Sequence, residues 1–317
     1  MIGKIDSYFT IKNKKTFLLG ISYYGGCGAT EDFILEDLDE MKKYSFNWIR
    51  VWATWNGFGK DVSCVDTEGN IREPFFSRLK FILKECTKRE MIVDITLSKK
   101  DEIVGGKRFK NFESHLNACI NLVKNLTDFK NYYIDVANEG NLKDERHISF
   151  EELKIIRDEI KKINKEVFVT ASYSGDMNIE TMSQYIVYAE IDFLAIHRPR
   201  TPKSPEETGK MTKEYIKMMK KLGKIIPLNY QEPFRRGFNK DWEPDVSHFL
   251  KDLLDAKKNG AAGWCFHNGD QRTNLPDRIP RRSFDLTEKR LFIQLDDVEK
   301  EFLNKIRDMK PIIHLPQ

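Results

Sequence analysis

Short runs of β-branched, aromatic and aliphatic residues recur along the chain, and amphipathic stretches separate them. The runs are Phe17–Tyr24, Phe46–Ala53, Met91–Leu97, Tyr132–Asn138, Val167–Tyr173, Asp192–His197, Ile225–Gln231 and Ala262–His267. Each has the length and composition of a buried strand. The stretches between them carry helix punctuation. Thr30-Glu31-Asp32 supplies a cap residue and first-turn acids, and Ser149-Phe150-Glu151-Glu152 fits a capping box ahead of Leu153-Lys154-Ile155-Ile156. Gly223 and Asn259-Gly260 stand where helices should end before the last two strands. Ahead of all this, Ile5 to Lys15 alternates in polarity and turns at Asn13-Lys14, which predicts a small hairpin plugging the bottom of the fold.

Strands that alternate with helices at this spacing are parallel βα units. Eight of them without a Gly/Ser-rich linker predict one (β/α)8 TIM barrel, an α/β fold occupying residues 1–317 as a single domain. An open doubly wound sheet is the rival. It would need G-x-G-x-x-G after the first strand, and Gly25-Gly26-Cys27-Gly28 lacks the third glycine.

Composition narrows the picture. The chain has 317 residues, 40% of them hydrophobic, and no run long enough to span a membrane. Lys and Arg number 53 against 49 Asp and Glu, so the net charge of +4 is small and spread out, unlike a nucleic-acid binder. The five cysteines, Cys27, Cys64, Cys86, Cys119 and Cys265, have no metal-type spacing and fit reduced thiols better than a disulfide framework. The start, Met1 to Asp6, has neither the apolar core nor the cleavage site of a signal peptide. A cytoplasmic protein is expected, or a secreted one if a leader has been removed.

Two of the runs stop at an acid. Asn138-Glu139 closes the fourth and Glu232 follows the seventh. Active sites of this fold lie at the C-terminal ends of the strands. Two carboxylates delivered there are what retaining glycoside hydrolysis needs, one as acid and base, the other as nucleophile. The other strand ends carry Tyr23-Tyr24, Arg50 with Trp52 and Trp55-Asn56, His197-Arg198-Pro199-Arg200, and Trp264-Cys265-Phe266-His267. Singly, each admits a structural reading: Trp52 as barrel core, Arg50 as an ion pair, His197 as an interior histidine. Together they suit sugar chemistry. Arg50 would keep a nucleophilic carboxylate ionised, apolar surroundings would raise the acid's pKa, Asn138 would donate to a sugar 2-hydroxyl, and Trp264 would stack on a pyranose.

In this order, Arg50 on strand two, Asn138-Glu139 on four, His197 on six, Glu232 on seven and Trp264 on eight, the chain resembles clan A glycoside hydrolases, in particular family 5, the cellulase and mannanase group. Phe17-Leu18-Leu19-Gly20-Ile21-Ser22-Tyr23-Tyr24 also resembles that family's first strand. The resemblance implies Glu139 as acid/base, Glu232 as nucleophile, and Arg50, Asn138, His197 and Trp264 around the attacked sugar; Tyr24 and Trp52 complete the candidate substrate-binding set. Two departures stand out. Pro199 occupies the position where the family carries a tyrosine that hydrogen-bonds the nucleophile, leaving Tyr230, Tyr173 and Tyr24 as alternatives for that hydroxyl. A histidine often found after strand three is missing, since Leu97-Ser98-Lys99-Lys100 stands there.

The expected activity is hydrolysis of a β-linked oligo- or polysaccharide, with no cofactor and no metal, because no His/Asp/Glu set has ligand spacing. No nucleic-acid or membrane partner is expected. A transglycosidase and a non-catalytic carbohydrate-binding barrel are the alternatives. Arg198, Arg200, Arg235, Arg236, Arg272, Arg278, Arg281 and Arg282 gather near the proposed rim. They serve either to tie down long loops, Arg198 and Arg200 pairing with Glu206 or Glu207, or to recognise an anionic glycan.

Overall fold

The structure is a computed structural model that describes residues 2–101, 106–269 and 282–309. Its strands in chain order are β1 (Ile2–Ile5), β2 (Tyr8–Ile11), β3 (Lys14–Thr16), β4 (Leu18–Ser22), β5 (Trp48–Trp52), β6 (Asn56–Gly57), β7 (Lys60–Asp61), β8 (Ile92–Thr96), β9 (Tyr132–Asp135), β10 (Phe168–Thr170), β11 (Tyr173–Ser174), β12 (Leu194–His197), β13 (Leu228–Tyr230) and β14 (Gly263–Phe266). The helices are α1 (Glu31–Lys43), α2 (Phe75–Lys88), α3 (Phe112–Asn125), α4 (Phe150–Ile163), α5 (Ile179–Ser183), α6 (Ser204–Lys221), α7 (Val246–Lys258) and α8 (Asp297–Asp308). All eight expected strands form, in the expected order, as a (β/α)8 TIM barrel.

The main sheet is parallel throughout and runs β10-β9-β8-β5-β4-β14-β13-β12-β11. β10 and β11 are two halves of one strand. The first half pairs with β9 and the second with β12. A bond from the Asp192 N–H to the Val169 carbonyl, 2.9 Å, joins the circle on that side. Parallel strands need a crossover long enough to hold a helix, and the sequence supplies one after each. α1 buries Ile34, Leu38 and Met41, and α4 buries Leu153, Ile156 and Ile160, single stripes that face the outside of the barrel. Each such side chain contributes about 1.5–3 kcal/mol. The punctuation acts as expected: Thr30 caps α1, Ser149 and Glu152 form a full capping box, and Gly223 and Gly260 take φ of 70° and 98° past their helices.

The lower lumen is filled by Leu18, Trp48, Ile92, Tyr133, Phe168 and Phe193. Gly20 has to be glycine here, because a Cβ on it would come within 1.8 Å of the Trp48 ring. The plug is a three-stranded meander rather than the expected hairpin. Its second turn uses two residues, Lys12 and Asn13, both at positive φ, between the paired Ile11 and Lys14. β1 pairs with β2 as well, over a stretch too short to announce itself by alternation. Phe9 closes the lumen edge-on to Phe193, with ring centroids 5.2 Å apart. All five cysteines are free and buried, Cys27 and Cys64 with sulfurs 3.2 Å apart. No described helix is long and apolar enough to cross a membrane.

Candidate active site

Above the apolar layer the lumen turns polar. Register sets Arg50 of β5 beside Asp94 of β8, and the pleat turns both inward. Arg50 has no solvent exposure and is held on every side. Its Nε donates to Thr96 Oγ1 at 3.1 Å and lies 3.3 Å from Asp94. Nη2 reaches Asp135 at 3.2 Å and Asn138 Oδ1 at 2.9 Å, and Nη1 donates to Glu232 Oε1. Because Arg50 takes the oxygen of Asn138, the amide nitrogen of that side chain is left as a donor. Burial pushes Asp94 up to about 7 against the pull of Arg50.

At the ends of β9 and β13 the chain leaves the pleat, so consecutive residues both reach inward. Gln231 Nε2 donates to Asp94 at 2.7 Å while Glu232 meets Arg50. Asn138 and Glu139 share the lumen in the same way. Glu139 has φ of 50°, a region that non-glycine side chains rarely adopt. Its N–H donates to Ser172 Oγ at 3.0 Å, and the next N–H, of Gly140, donates to the Ser172 carbonyl at 3.1 Å. Ser172 therefore holds the turn that aims the carboxylate.

Oxygens of Glu139 and Glu232 and a ring nitrogen of His197 lie within 4.8 Å of one another. His197 Nδ1 is 3.3 Å from Glu139 Oε1 and 3.7 Å from Glu232 Oε2. Arg146 Nη1 donates to Glu139 Oε2 at 2.6 Å, and Arg200 Nη2 to Glu232 Oε2 at 2.6 Å. Among the described residues this trio is also the one set of ligand-type side chains gathered closely enough for a metal ion. The guanidinium donors on both carboxylates oppose a cation there. Burial pushes Glu232 up, but His197, Arg50, His267 and Arg200 outweigh it and hold the carboxyl well below the usual range. For Glu139, burial is again outweighed, by the hydrogen bond and charge of His197 and by Arg200, so its carboxyl is lowered. The sequence expectation of a raised acid is thus reversed, because the pocket wall is cationic rather than apolar.

The pocket encloses about 540 Å³. Tyr24, Trp52 and Trp55 form one wall, their ring centroids 5.3–5.5 Å apart. Asn138, His197 and both glutamates line the floor, and Lys100, Arg146, Arg198, Arg200, Arg235 and Phe238 complete the sides. Of the sequence candidates, Arg50 lies just beneath and only Trp264 is misplaced. The pleat of β14 sends Cys265 inward and Trp264 outward, where it is fully buried, donates from Nε1 to Asp252 at 2.6 Å and packs on Phe302 of α8. His267, inward by the same parity, stands in the pocket instead, its Nδ1 2.7 Å from the Tyr24 hydroxyl. Burial holds its imidazole well below the usual range.

The rim arginines divide. Arg198 is tied to Asp176 at 3.1 Å, to Thr208 at 2.8 Å and to Glu207 at 3.6 Å, so it braces the start of α6. Arg200 instead reaches Glu232, and it lies 3.9 Å from Glu139. It takes up the donor role that the missing tyrosine would fill; Tyr230 bonds Thr212, and Tyr24 bonds His267. Arg236 and Arg282 both pair with Asp296 at the start of α8. Arg272, Arg278 and Arg281 lie outside the described residues. Arg146 and Ser172 were not foreseen: Arg146 stands in a polar loop, and Ser172, near the end of the run Val167–Tyr173, is not a residue type that suggests chemistry by itself. The bend at Glu139 that brings Ser172 into contact carries no sequence signature.

The architecture is one that this chain shares with solved glycoside hydrolases. Solved structures with this fold include a glycoside hydrolase family 5 protein from Bacteroides vulgatus, 15% identical, with a TM-score of 0.70 over 97% of this chain and 69% of that one. An endo-1,4-beta-mannanase from Rhizomucor miehei is 12% identical, with a TM-score of 0.64 over 98% and 99%. An exo-beta-1,4-mannosidase from an Opitutaceae bacterium is 16% identical, with a TM-score of 0.65 over the whole of this chain and 64% of that one. No protein-family model matches the sequence, and neither does any curated protein. The likeness therefore lives in the fold, which is that of glycoside hydrolase family 5.

Proposed function

We propose that the protein is a retaining glycoside hydrolase acting on a β-linked glycan. The observation that carries this reading is the approach of Glu139 and Glu232 to within 4.8 Å at the C-terminal mouth of the barrel. Retaining enzymes keep their carboxyls about 5–5.5 Å apart, whereas inverting ones leave about 6.5–9.5 Å for a water. Glu232, ionised by its cationic neighbours, attacks the anomeric carbon as the bond to the leaving oxygen breaks. Glu139 gives its proton to that oxygen. Water then attacks the glycosyl ester, passes its proton to Glu139, and frees the sugar and the Glu232 carboxylate. The amide nitrogen of Asn138 suits a sugar 2-hydroxyl, and the wall of Tyr24, Trp52 and Trp55 suits the apolar face of a pyranose.

The mannan-cleaving names among the structural neighbours make β-mannosides the first probes, followed by β-glucosides and a polysaccharide panel. The decisive experiment follows the anomer released from an aryl β-glycoside by proton NMR. Initial release of the β-anomer supports the reading. Initial release of the α-anomer, or turnover surviving in both Glu139→Ala and Glu232→Ala, sinks it.

A further inference from the structure

The four oxygens of the two glutamates are all engaged, and the identity of their partners constrains the substrate. Arg50 cannot leave Glu232 Oε1, being without exposure and fixed by Thr96, Asp135 and Asn138. Oε2 is therefore the oxygen left to attack, and Arg200 donates to it. A carboxylate oxygen has a second lone pair, so Arg200 can stay as a donor while Oε2 reacts. Among the described residues, Nε and Nη1 of Arg200 donate to nothing, and its guanidinium lies over the Phe238 ring at 4.8 Å. Glu139 is more tightly closed. Oε1 faces His197, and Oε2 accepts from Arg146 at 2.6 Å. Arg146 is presented for this purpose: its Nε and Nη2 are gripped by Asp144 at 3.0 and 2.7 Å, which aims Nη1 into the pocket. The positive charge of Arg146 on Oε2 favours the ionised carboxylate, so drawing Arg146 away favours the protonated acid that the leaving group needs. A neutral sugar would break that ion pair and offer only hydroxyls in return.

We propose that the site takes a glycan carrying an anionic group, a carboxylate or a sulfate ester, beside the scissile bond, bound by Arg146 and by the free donors of Arg200. This deepens the glycosidase reading and rests on it. The anion draws Arg146 from Glu139 Oε2, and that oxygen becomes available to hold the proton for the leaving group. Asp144 keeps hold of the far side of Arg146, so the movement is a swing of Nη1 rather than a departure of the whole side chain. Lys100, 3.4 Å from Asp144 and lining the same pocket, adds positive charge on that side. Guanidinium suits this task because its planar fork pairs with two oxygens at once.

The test uses matched 4-methylumbelliferyl β-glycosides of the gluco and manno series, each as the neutral hexoside, the uronide and the 6-sulfate. The expected result is a kcat/KM for a charged member roughly ten- to hundredfold above its neutral partner, falling with added salt. Uronide and sulfate arms separate the two sources of charge. Arg146→Gln should collapse the preference, read as the ratio of charged to neutral kcat/KM within one variant, and removal of the salt dependence should accompany it. A wild type that prefers the neutral member in both series, or a preference untouched by Arg146→Gln, overturns the proposal. If no glycoside of any kind is turned over, the glycosidase reading fails separately. Calorimetry with a glucuronate-ended disaccharide and its glucose-ended counterpart still decides the anion site, differential binding supporting it and equal or absent binding overturning it.

Discussion

Removing Arg50 should damage stability and pH response together, in a proportion that the structure sets. Three carboxylates lean on this one guanidinium: Asp94 at 3.3 Å, Asp135 at 3.2 Å and Glu232. Deleting one member of a buried ion pair leaves the others uncompensated and costs about 3–5 kcal/mol. That is a large part of a total stability of about 5–15 kcal/mol. With an unfolding entropy of about 2.1 cal/mol/K per residue, the loss lowers Tm by about 5–8 °C for a chain of 317 residues. The pH response follows from Glu232, whose folded carboxyl lies below its unfolded value of about 4.3. Its ion pairs stabilise the fold fully above that unfolded value and are lost as pH falls through the folded one. Arg50→Ala raises the folded value, so acid unfolding should begin at a higher pH. The acidic limb of kcat/KM for a 2,4-dinitrophenyl glycoside should move up with it. Arg50→Lys keeps the charge without the fork and should fall between. Thermal melts from about pH 4 to 8 and the pH–rate profile read both effects. A melting point within about 1 °C of wild type, or an unmoved acidic limb in a folded variant, would refute the reasoning.

The two glutamates should fail in different ways. Glu232→Ala should yield the α-glycosyl azide when azide is added, whereas Glu139→Ala should still cleave activated aryl glycosides and give the β-azide; the same product from both would void the division of roles. Glu139 is pushed up by burial but lowered further by His197 and Arg200, so the free enzyme loses this proton below the ordinary glutamate range. For a neutral glycoside with a poor leaving group, kcat/KM should therefore decline as pH rises through weakly acidic values, and a plateau persisting above about pH 7 would contradict this. Trp264→Phe should cost about 1–3 kcal/mol by leaving Asp252 Oδ2 without its donor while Thr208 keeps Oδ1, with KM unchanged; a raised KM without destabilisation would return Trp264 to the pocket.

The alternation of apolar runs and amphipathic stretches was enough to determine the barrel, its eight strands, and the end of it where chemistry sits. The reason is that burial of a strand inside a ring of helices is a local demand, met residue by residue. The candidate pair Glu139 and Glu232 was legible for the same reason, each standing where an apolar run breaks off. Facing was not legible at strand ends. Trp264 and His267 are three positions apart and both plausible, and only the pleat of β14 turns one out to α8 and the other into the lumen. Asn138 and Glu139 both reach inward because the backbone bends at Glu139, with Ser172 from a different strand end holding that bend. Charge was the other thing the tertiary structure decided. Arg146 folds back on Glu139 within one loop, but Arg200 comes from another loop and meets the two glutamates only when the barrel closes. Coulomb energy depends on distance in space, so a carboxyl expected to be raised by apolar surroundings is instead lowered by neighbours far away in the chain.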